Sequence, residues 1–248
     1  MLGLGTLINV VAVLVGATAG TLVGHRLPER TRDAVTDALG LTTLVVGALN
    51  VVALGDASFR EAVGGSGTLL VVLGALVVGA ITGSLLRLES RLEGAGGWLQ
   101  ARLTRGSGGE GRARFIEGFV AASLLFCIGP LAVLGSLSDG LGTGIEQLVL
   151  KSTLDLFAAI AFASTLGWGV AASALSVGVY QGALTLLGAT VGTVLPESLI
   201  AAITATGGVL LLGIGMRLLR IRAVPVGDLL PALVAAPVIT AVVIAVRA

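Results

Sequence analysis

The stretch LFAAIAFASTLGWGVAASALSVGVYQGALTLLGATVGTVLP, Leu156–Pro196, runs for 41 residues without a single Asp, Glu, Lys or Arg. About 20 apolar residues carry a helix across the hydrocarbon core of a bilayer, so this run is long enough for two crossings. Six further charge-free stretches supply one crossing each: Leu2–Val23 (span 1), Ala38–Gly55 (span 2), Ala62–Leu86 (span 3), Gly118–Ser138 (span 4), Ser198–Met216 (span 7) and Leu229–Val246 (span 8). Spans 5 and 6 share Leu156–Pro196. The sequence therefore predicts an all-α polytopic membrane protein of about eight transmembrane helices, with residues 1–248 as a single transmembrane domain.

Composition agrees. Of the 248 residues 55% are hydrophobic and 12% charged, against roughly 25% charged in soluble domains, and the mean hydropathy is +1.04. A soluble globular enzyme is excluded. The first run has no basic start, is too long for a signal-peptide core and ends in Gly24-His25-Arg26 rather than a small-residue cleavage site, so it reads as a retained first helix. A net charge of +1 gives no basic field for nucleic acid. Cys127 is the single cysteine, which leaves no disulfide framework and no thiol pair for a metal. No cofactor is implied.

Short cytoplasmic loops collect Lys and Arg, and twelve of the fifteen basic residues fall in three loops. Arg26, Arg30 and Arg32 follow span 1; Arg87, Arg91, Arg102, Arg105, Arg112 and Arg114 lie between spans 3 and 4; Arg217, Arg220 and Arg222 follow span 7. With eight crossings all three lie on one side, which places both termini outside. The longest connection, residues 88–113, is then a cytoplasmic Arg/Gly-rich loop. It joins the apolar-basic pattern Trp98, Leu99, Arg102, Leu103 to Gly106-Ser107-Gly108-Gly109-Glu110-Gly111. That glycine run lacks the Gly-Lys-Ser/Thr ending a phosphate cradle needs.

The chain also repeats itself. Gly16-Ala17-Thr18-Ala19-Gly20-Thr21 in span 1 matches Gly188-Ala189-Thr190-Val191-Gly192-Thr193 in span 6 at five of six positions, offset by 172. After a four-residue deletion Pro28-Glu29 matches Pro196-Glu197, Gly40 matches Gly208 and Gly47 matches Gly215. Spans 1 and 2 thus resemble spans 6 and 7, and because span 1 runs inward and span 6 outward the copies have opposite topology. Inverted repeats build alternating-access transporters around a midplane site. Small residues at helical spacing also recur wherever membrane helices pack closely, the competing explanation in a chain with 38 glycines.

The candidate site residues follow. Asn9 and Gln181 occupy equivalent positions in the repeat, each seven residues and so about 10 Å along the helix before the first glycine. An amide offers both donor and acceptor, which suits a cation or a polar solute; the alternative is an interhelical hydrogen bond that only joins helices. Lys151 is the sole lysine, and Asp155 follows it at i, i+4 in Lys151-Ser152-Thr153-Leu154-Asp155. The two share one helix face, and a carboxylate inside a membrane marks an ion or proton path by default. The bland alternative has Lys151 reaching the interface with Asp155 as its structural partner. Cys127-Ile128-Gly129-Pro130 predicts a kink or break near Gly129, where freed carbonyls are candidates for cation coordination. Cys127 reads as a packing residue, having no basic neighbour in sequence.

Several of these motifs resemble one family. Asn9 through Gly20, Pro28-Glu29-Arg30, Gly40-Leu41, Cys127-Ile128-Gly129-Pro130, Leu134-Gly135-Ser136, Lys151-Ser152 with Leu154-Asp155, Phe162 through Gly167 and Tyr180-Gln181-Gly182 are similar to the prokaryotic integral-membrane family called domain of unknown function 554. The resemblance runs from span 1 through span 7. It implies a multi-pass protein of the prokaryotic plasma (inner) membrane, for which sodium channel or pump activity has been suggested, and it brings no catalytic residue.

Taken together, the sequence points to transport of a small cation, sodium or proton, or of a small polar solute coupled to one. The ion or substrate site would draw on Asp155, Lys151, Asn9, Gln181, Gly129 and Ser152, and the partners are the lipid bilayer, the transported species and a second copy of the chain in a homo-oligomer. The rivals are an ion channel and a non-transporting scaffold or sensor. An enzyme is disfavoured because one histidine and one cysteine leave only scattered carboxylates for acid-base chemistry.

Overall fold

The computed structural model describes residues 2–24, 28–91, 94, 98, 109–127, 130–191 and 196–247. Among them secondary structure is helical throughout. The elements are α1 (Leu4–Gly24), α2 (Glu29–Val51), a 3-10 turn (Val52–Gly55), α3 (Ala57–Val63), α4 (Gly67–Leu86), α5 (Gly109–Cys127), α6 (Pro130–Leu141), α7 (Glu146–Leu166), α8 (Trp168–Val191), α9 (Glu197–Leu218), α10 (Val226–Leu229) and α11 (Ala232–Arg247). Proline punctuates them. Pro130 opens α6, Pro196 and Pro225 cap α9 and α10, and Pro28 immediately precedes α2, positions where its missing N–H costs nothing.

Seven of these segments are long and apolar enough to cross a membrane, and α5 with α6 forms an eighth candidate bent by 61°. The bend falls where the sequence predicts it, although Gly129 itself lies outside the described residues. Packing directions support eight crossings over seven. Along α1 and α7 the contacts advance together, Gly5 on Leu148, Gly16 on Leu156, Gly20 on Ile160 and Gly24 on Ser164, so the two helices are parallel. Parallel spans require an odd number of crossings between them, which α2, α4 and the α5/α6 pair supply.

The chain divides into two compact units, neither of them continuous in sequence. Unit 1 comprises residues 1–39, 92–127 and 131–194. Its α1 turns Leu7, Val11, Leu14, Val15 and Leu22 outward and buries Thr6, Asn9, Val13, Gly16, Ala17 and Gly20. This puts bulk toward lipid and small or polar groups inside, as expected where burial gains nothing over hydrocarbon and close packing must hold helices together. A Cβ at Gly16, Gly20 or Gly24 would collide with the carbonyl oxygens of Leu156, Ile160 and Ser164.

Unit 2 comprises residues 40–91, 128–130 and 195–248. Phe59, Val63, Val71, Val72 and Ala75 pack with Ala201, Ala202, Ala205, Ala232 and Ala236, and α9 is buried around most of its circumference. The short α3, absent from the sequence reading, exists because Asp56 caps it, accepting from Phe59 N at 3.1 Å, while Phe59 is driven inside. The repeated glycines meet reciprocally here. A Cβ on Gly47 would lie 2.9 Å from Gly208 O and 3.1 Å from Leu212, and one on Gly215 would lie 3.0 Å from Gly40 O and 2.7 Å from Leu44. Gly40 and Gly208, Leu44 and Leu212, and Gly47 and Gly215 are each 168 residues apart. The α2/α9 contact is therefore antiparallel, and where two residues touch, their counterparts 168 positions away touch as well.

Candidate functional site

Unit 1 contains all three charged side chains that are buried among the described residues: Asp139, Lys151 and Asp155. The helical spacing puts Lys151 and Asp155 on the inner face of α7, where Lys151 Nζ donates to Asp155 Oδ2 at 2.5 Å. Ser152 lies beside them, its Oγ donating to Leu148 O at 2.6 Å with lone pairs to spare. The Phe126 ring centroid on α5 is 6.0 Å from Nζ, close enough for the ring face to attract the ammonium.

Asn9 reaches this pair from α1. Its amide acts on the Asp155 carboxylate yet forms no hydrogen bond of ordinary length: Asn9 Oδ1 and Nδ2 and Gln181 Oε1 and Nε2 are all buried without a partner among the described residues. Both side chains are 0% exposed. The register of α1 on α8 sets them at one level. Thr6 Oγ1 and Thr185 Oγ1 are 3.2 Å apart on one side, and Val10 lies against Gly178 on the other. Buried polar groups in folded proteins are almost always paired, and leaving one unpaired costs about 1–3 kcal/mol, so the orphan Asn9 amide beside the ion pair, with the orphan Gln181 amide at its level, marks a site with unfilled coordination.

Five of the six sequence candidates can be placed: Lys151, Asp155 and Asn9 come together, Ser152 is buried next to Lys151 on α7 and bonded to Leu148 O, and Gln181 lies at the level of Asn9 on α8. Gly129 lies outside the described residues. Sequence reasoning missed three neighbours. Cys127, which has no basic residue beside it in sequence, lies within electrostatic reach of Lys151 and Asp155, and Tyr180 in turn interacts with Cys127. Asp139 is the third. Its Oδ2 accepts from Gly5 N at 3.0 Å and Thr6 N at 3.4 Å, and its Oδ1 from Gly3 N at 3.2 Å, capping the free N–H groups that open α1. That Asp139 ends a charge-free stretch was readable; its target over 130 residues away was not.

No three His, Cys, Asp or Glu side chains come together among the described residues. What the arrangement offers instead is one carboxylate, two amide oxygens and a hydroxyl, the hard oxygen donors that suit small cations of the main groups.

The fold and this buried polar cluster define the class: a multi-span α-helical membrane protein with an ionisable centre between its helices. The chain belongs to the family described as "Protein of unknown function (DUF554)", which matches residues 4–241. The Escherichia coli (strain K12) protein described as "Uncharacterized protein YqgA" is 32% identical over 94% of each chain. The Bacillus subtilis (strain 168) "Uncharacterized membrane protein YdfK" is 28% identical over 96% of each. No solved structure matches the chain.

Proposed function

We propose that this protein is a transporter, rather than an enzyme, that carries a small cation, sodium or proton, or a small polar solute coupled to one, through the prokaryotic plasma (inner) membrane, with both termini outside. The observation that carries the reading is the fully buried Asn9 amide beside the buried Lys151–Asp155 ion pair, unpartnered among the described residues like the Gln181 amide at its level on α8. A structural ion pair alone would leave the amides unexplained, and amides placed only to join helices would be hydrogen bonded to something.

The reciprocal α2/α9 contact supports a carrier over a channel. Residues 168 apart exchanging the same contacts in antiparallel helices is what an inverted repeat produces when its copies pack on each other, and such repeats provide the two equivalent states of alternating access. At the basic end, Arg217 pairs with Glu89 at 2.5 Å. The loops after spans 3 and 7 therefore lie at one end of unit 2, in keeping with a shared cytoplasmic side. A second copy of the chain and the lipid bilayer are the proposed partners.

The test is uptake into proteoliposomes containing the purified chain, with a panel of monovalent cations and small polar solutes. The reading requires at least one species to move faster than through protein-free vesicles, and Asp155→Asn to abolish its ion dependence. Unchanged ion dependence in Asp155→Asn removes Asp155 from the role.

A further inference from the structure

Unit 2 carries, at one end, charges that its packing does not use. Gly74 meets Ile239 and Gly79 meets Ala232, so α4 and α11 run antiparallel and the start of one lies beside the end of the other. Both belong to candidate membrane spans, one opening at Gly67 and the other closing at Arg247. This end therefore lies where a bilayer turns from hydrocarbon to headgroups. A recess of about 410 Å³ opens there between α3 and α11, lined by Ser58, Glu61, Ala62, Ile244 and Arg247. On the spans next to it Leu69, Leu70, Val242 and Val246 are exposed, an apolar surface for lipid chains.

The Gly64-Gly65 turn gathers two guanidinium groups at this recess. A Cβ on Gly64 would lie 3.2 Å from Arg247 Nη2, and one on Gly65 would lie 3.6 Å from Arg60 Nη2. Gly64 has a φ of +86°, which glycine adopts without strain, and its missing side chain leaves room for Arg247, whose Nη1 donates to Ala62 O at 3.3 Å. Neither arginine has a carboxylate partner among the described residues, and the Glu61 side chain has no partner there either. Asp56, four residues before Arg60, is turned instead to the Ser58 hydroxyl and Phe59 N.

Two positive groups on one turn and a free carboxylate beside them complement a molecule that carries a negative and a positive group together. The two positive side chains, Arg60 and Arg247, balance the two negative ones, Asp56 and Glu61, so an occupant of zero net charge keeps that balance. Guanidinium groups hold phosphate through paired N–H donors. A carboxylate holds a primary ammonium through N–H donors, which a quaternary ammonium lacks, and a glycerol headgroup would leave Glu61 facing an uncharged group. We propose that this recess binds the headgroup of an ethanolamine phospholipid of the surrounding bilayer, its phosphate between Arg60 and Arg247 and its ammonium on Glu61. Basic pockets between membrane helices bind lipid headgroups; here Glu61 sets the class. The inference adds a lipid ligand in unit 2 and is independent of what unit 1 transports.

The experiment titrates the detergent-purified full chain with dioleoyl phosphatidylethanolamine, phosphatidylcholine and phosphatidylglycerol, reading the first bound lipid by native mass spectrometry. Wild type should bind the ethanolamine lipid about tenfold more tightly than the choline lipid, the worth of one charge-assisted hydrogen bond. Glu61→Gln should erase that preference while still binding both. Arg60→Gln with Arg247→Gln should weaken all three lipids, by about fivefold for each arginine removed, and Arg60→Lys with Arg247→Lys, which keeps the charge, should recover most of the loss. Arg222→Gln, on an exposed loop beyond α9, should change nothing. All of these side chains except that of the partly buried Ser58 are exposed, so the fold is not at stake in the variants. The inference is overturned by a wild type that binds the choline or glycerol lipid as tightly as the ethanolamine lipid, by a Glu61→Gln that keeps the preference, or by a double glutamine variant that binds as wild type does. Full displacement of the lipid by soluble phosphoethanolamine at equal concentration overturns it too, since the ligand would then come from water rather than from the bilayer.

Discussion

The two units solve the same packing problem with different interiors. Unit 2 fills its centre with alanines, valines and one phenylalanine around a nearly encircled α9, and among the described residues it buries no charged side chain. Unit 1 uses the same close glycine contacts but keeps Asn9, Lys151, Ser152, Asp155 and Gln181 inside. Small-residue packing is what holds helices together in lipid; buried charge and unpaired amides are what they carry at a cost. Function is to be sought in unit 1, because among the described residues it alone buries charge, a burden that packing does not explain.

The comparison breaks most sharply at the glycines. Gly20→Leu would drive a side chain into the backbone of Ile160 and should abolish folding of unit 1, seen as loss of a monodisperse peak in size-exclusion chromatography. Gly208→Ala, whose Cβ meets Gly47 O at 2.7 Å, should be milder, about 1–3 kcal/mol in a denaturant titration. Equal tolerance of both would show that α1 and α7 are not in backbone contact.

Next in size is the ion pair. Asp155→Leu strands the Lys151 ammonium and should cost about 3–5 kcal/mol, whereas Lys151→Met with Asp155→Leu removes both charges and should recover most of it. Thermal unfolding of the three proteins in nanodiscs checks this. A double variant no more stable than the single would show the pair is not buried as a unit.

The orphan polar groups then separate the units by function. Thr206 in unit 2 is fully buried with an unpartnered Oγ1, as the Asn9 amide is in unit 1. Thr206→Val and Asn9→Leu should both hold or raise thermal stability, since each deletes an unpaired polar group. Only Asn9→Leu should lose transport. A transport loss of equal size in Thr206→Val would move the functional boundary into unit 2.

The smallest effect belongs to Asp56. The Ser58 hydroxyl, 2.6 Å away, is the main cause that holds its carboxyl below the usual carboxylate range. A carboxylate favoured in the folded state contributes stability above its unfolded pKa and loses it as pH falls through the lower folded value. Asp56→Ala should cost about 1 kcal/mol as a lost helix cap and should erase that acid-side loss, readable by hydrogen exchange at α3 between about pH 3 and 6.

Much of this was legible in the chain. Charge-free runs of span length mark the candidate crossings except α7, which starts at Glu146 and carries the Lys151–Asp155 pair, so that only its second half falls in the Leu156–Pro196 run; a bilayer penalises charge residue by residue, and a charge paired on its own helix escapes that rule. The Lys151–Asp155 pair follows from helical spacing alone, and the break in the fourth span from Pro130. What could not be read depends on which helix lies beside which. Asp139 gives no local hint that it caps α1, and Cys127 has no basic neighbour until folding brings Lys151 to it.

The chain alone shows the long apolar helices and the residue types at the site, since those are set by local hydropathy, spacing and breakers, but not the short α3 and α10. Only the folded chain shows that Asn9 and Gln181 share one level, without a partner among the described residues, that the repeated glycines meet reciprocally, and that the charge buried among the described residues lies in unit 1. These are relations between segments far apart in the chain, fixed by the register in which small residues let backbones touch, and no single segment encodes them.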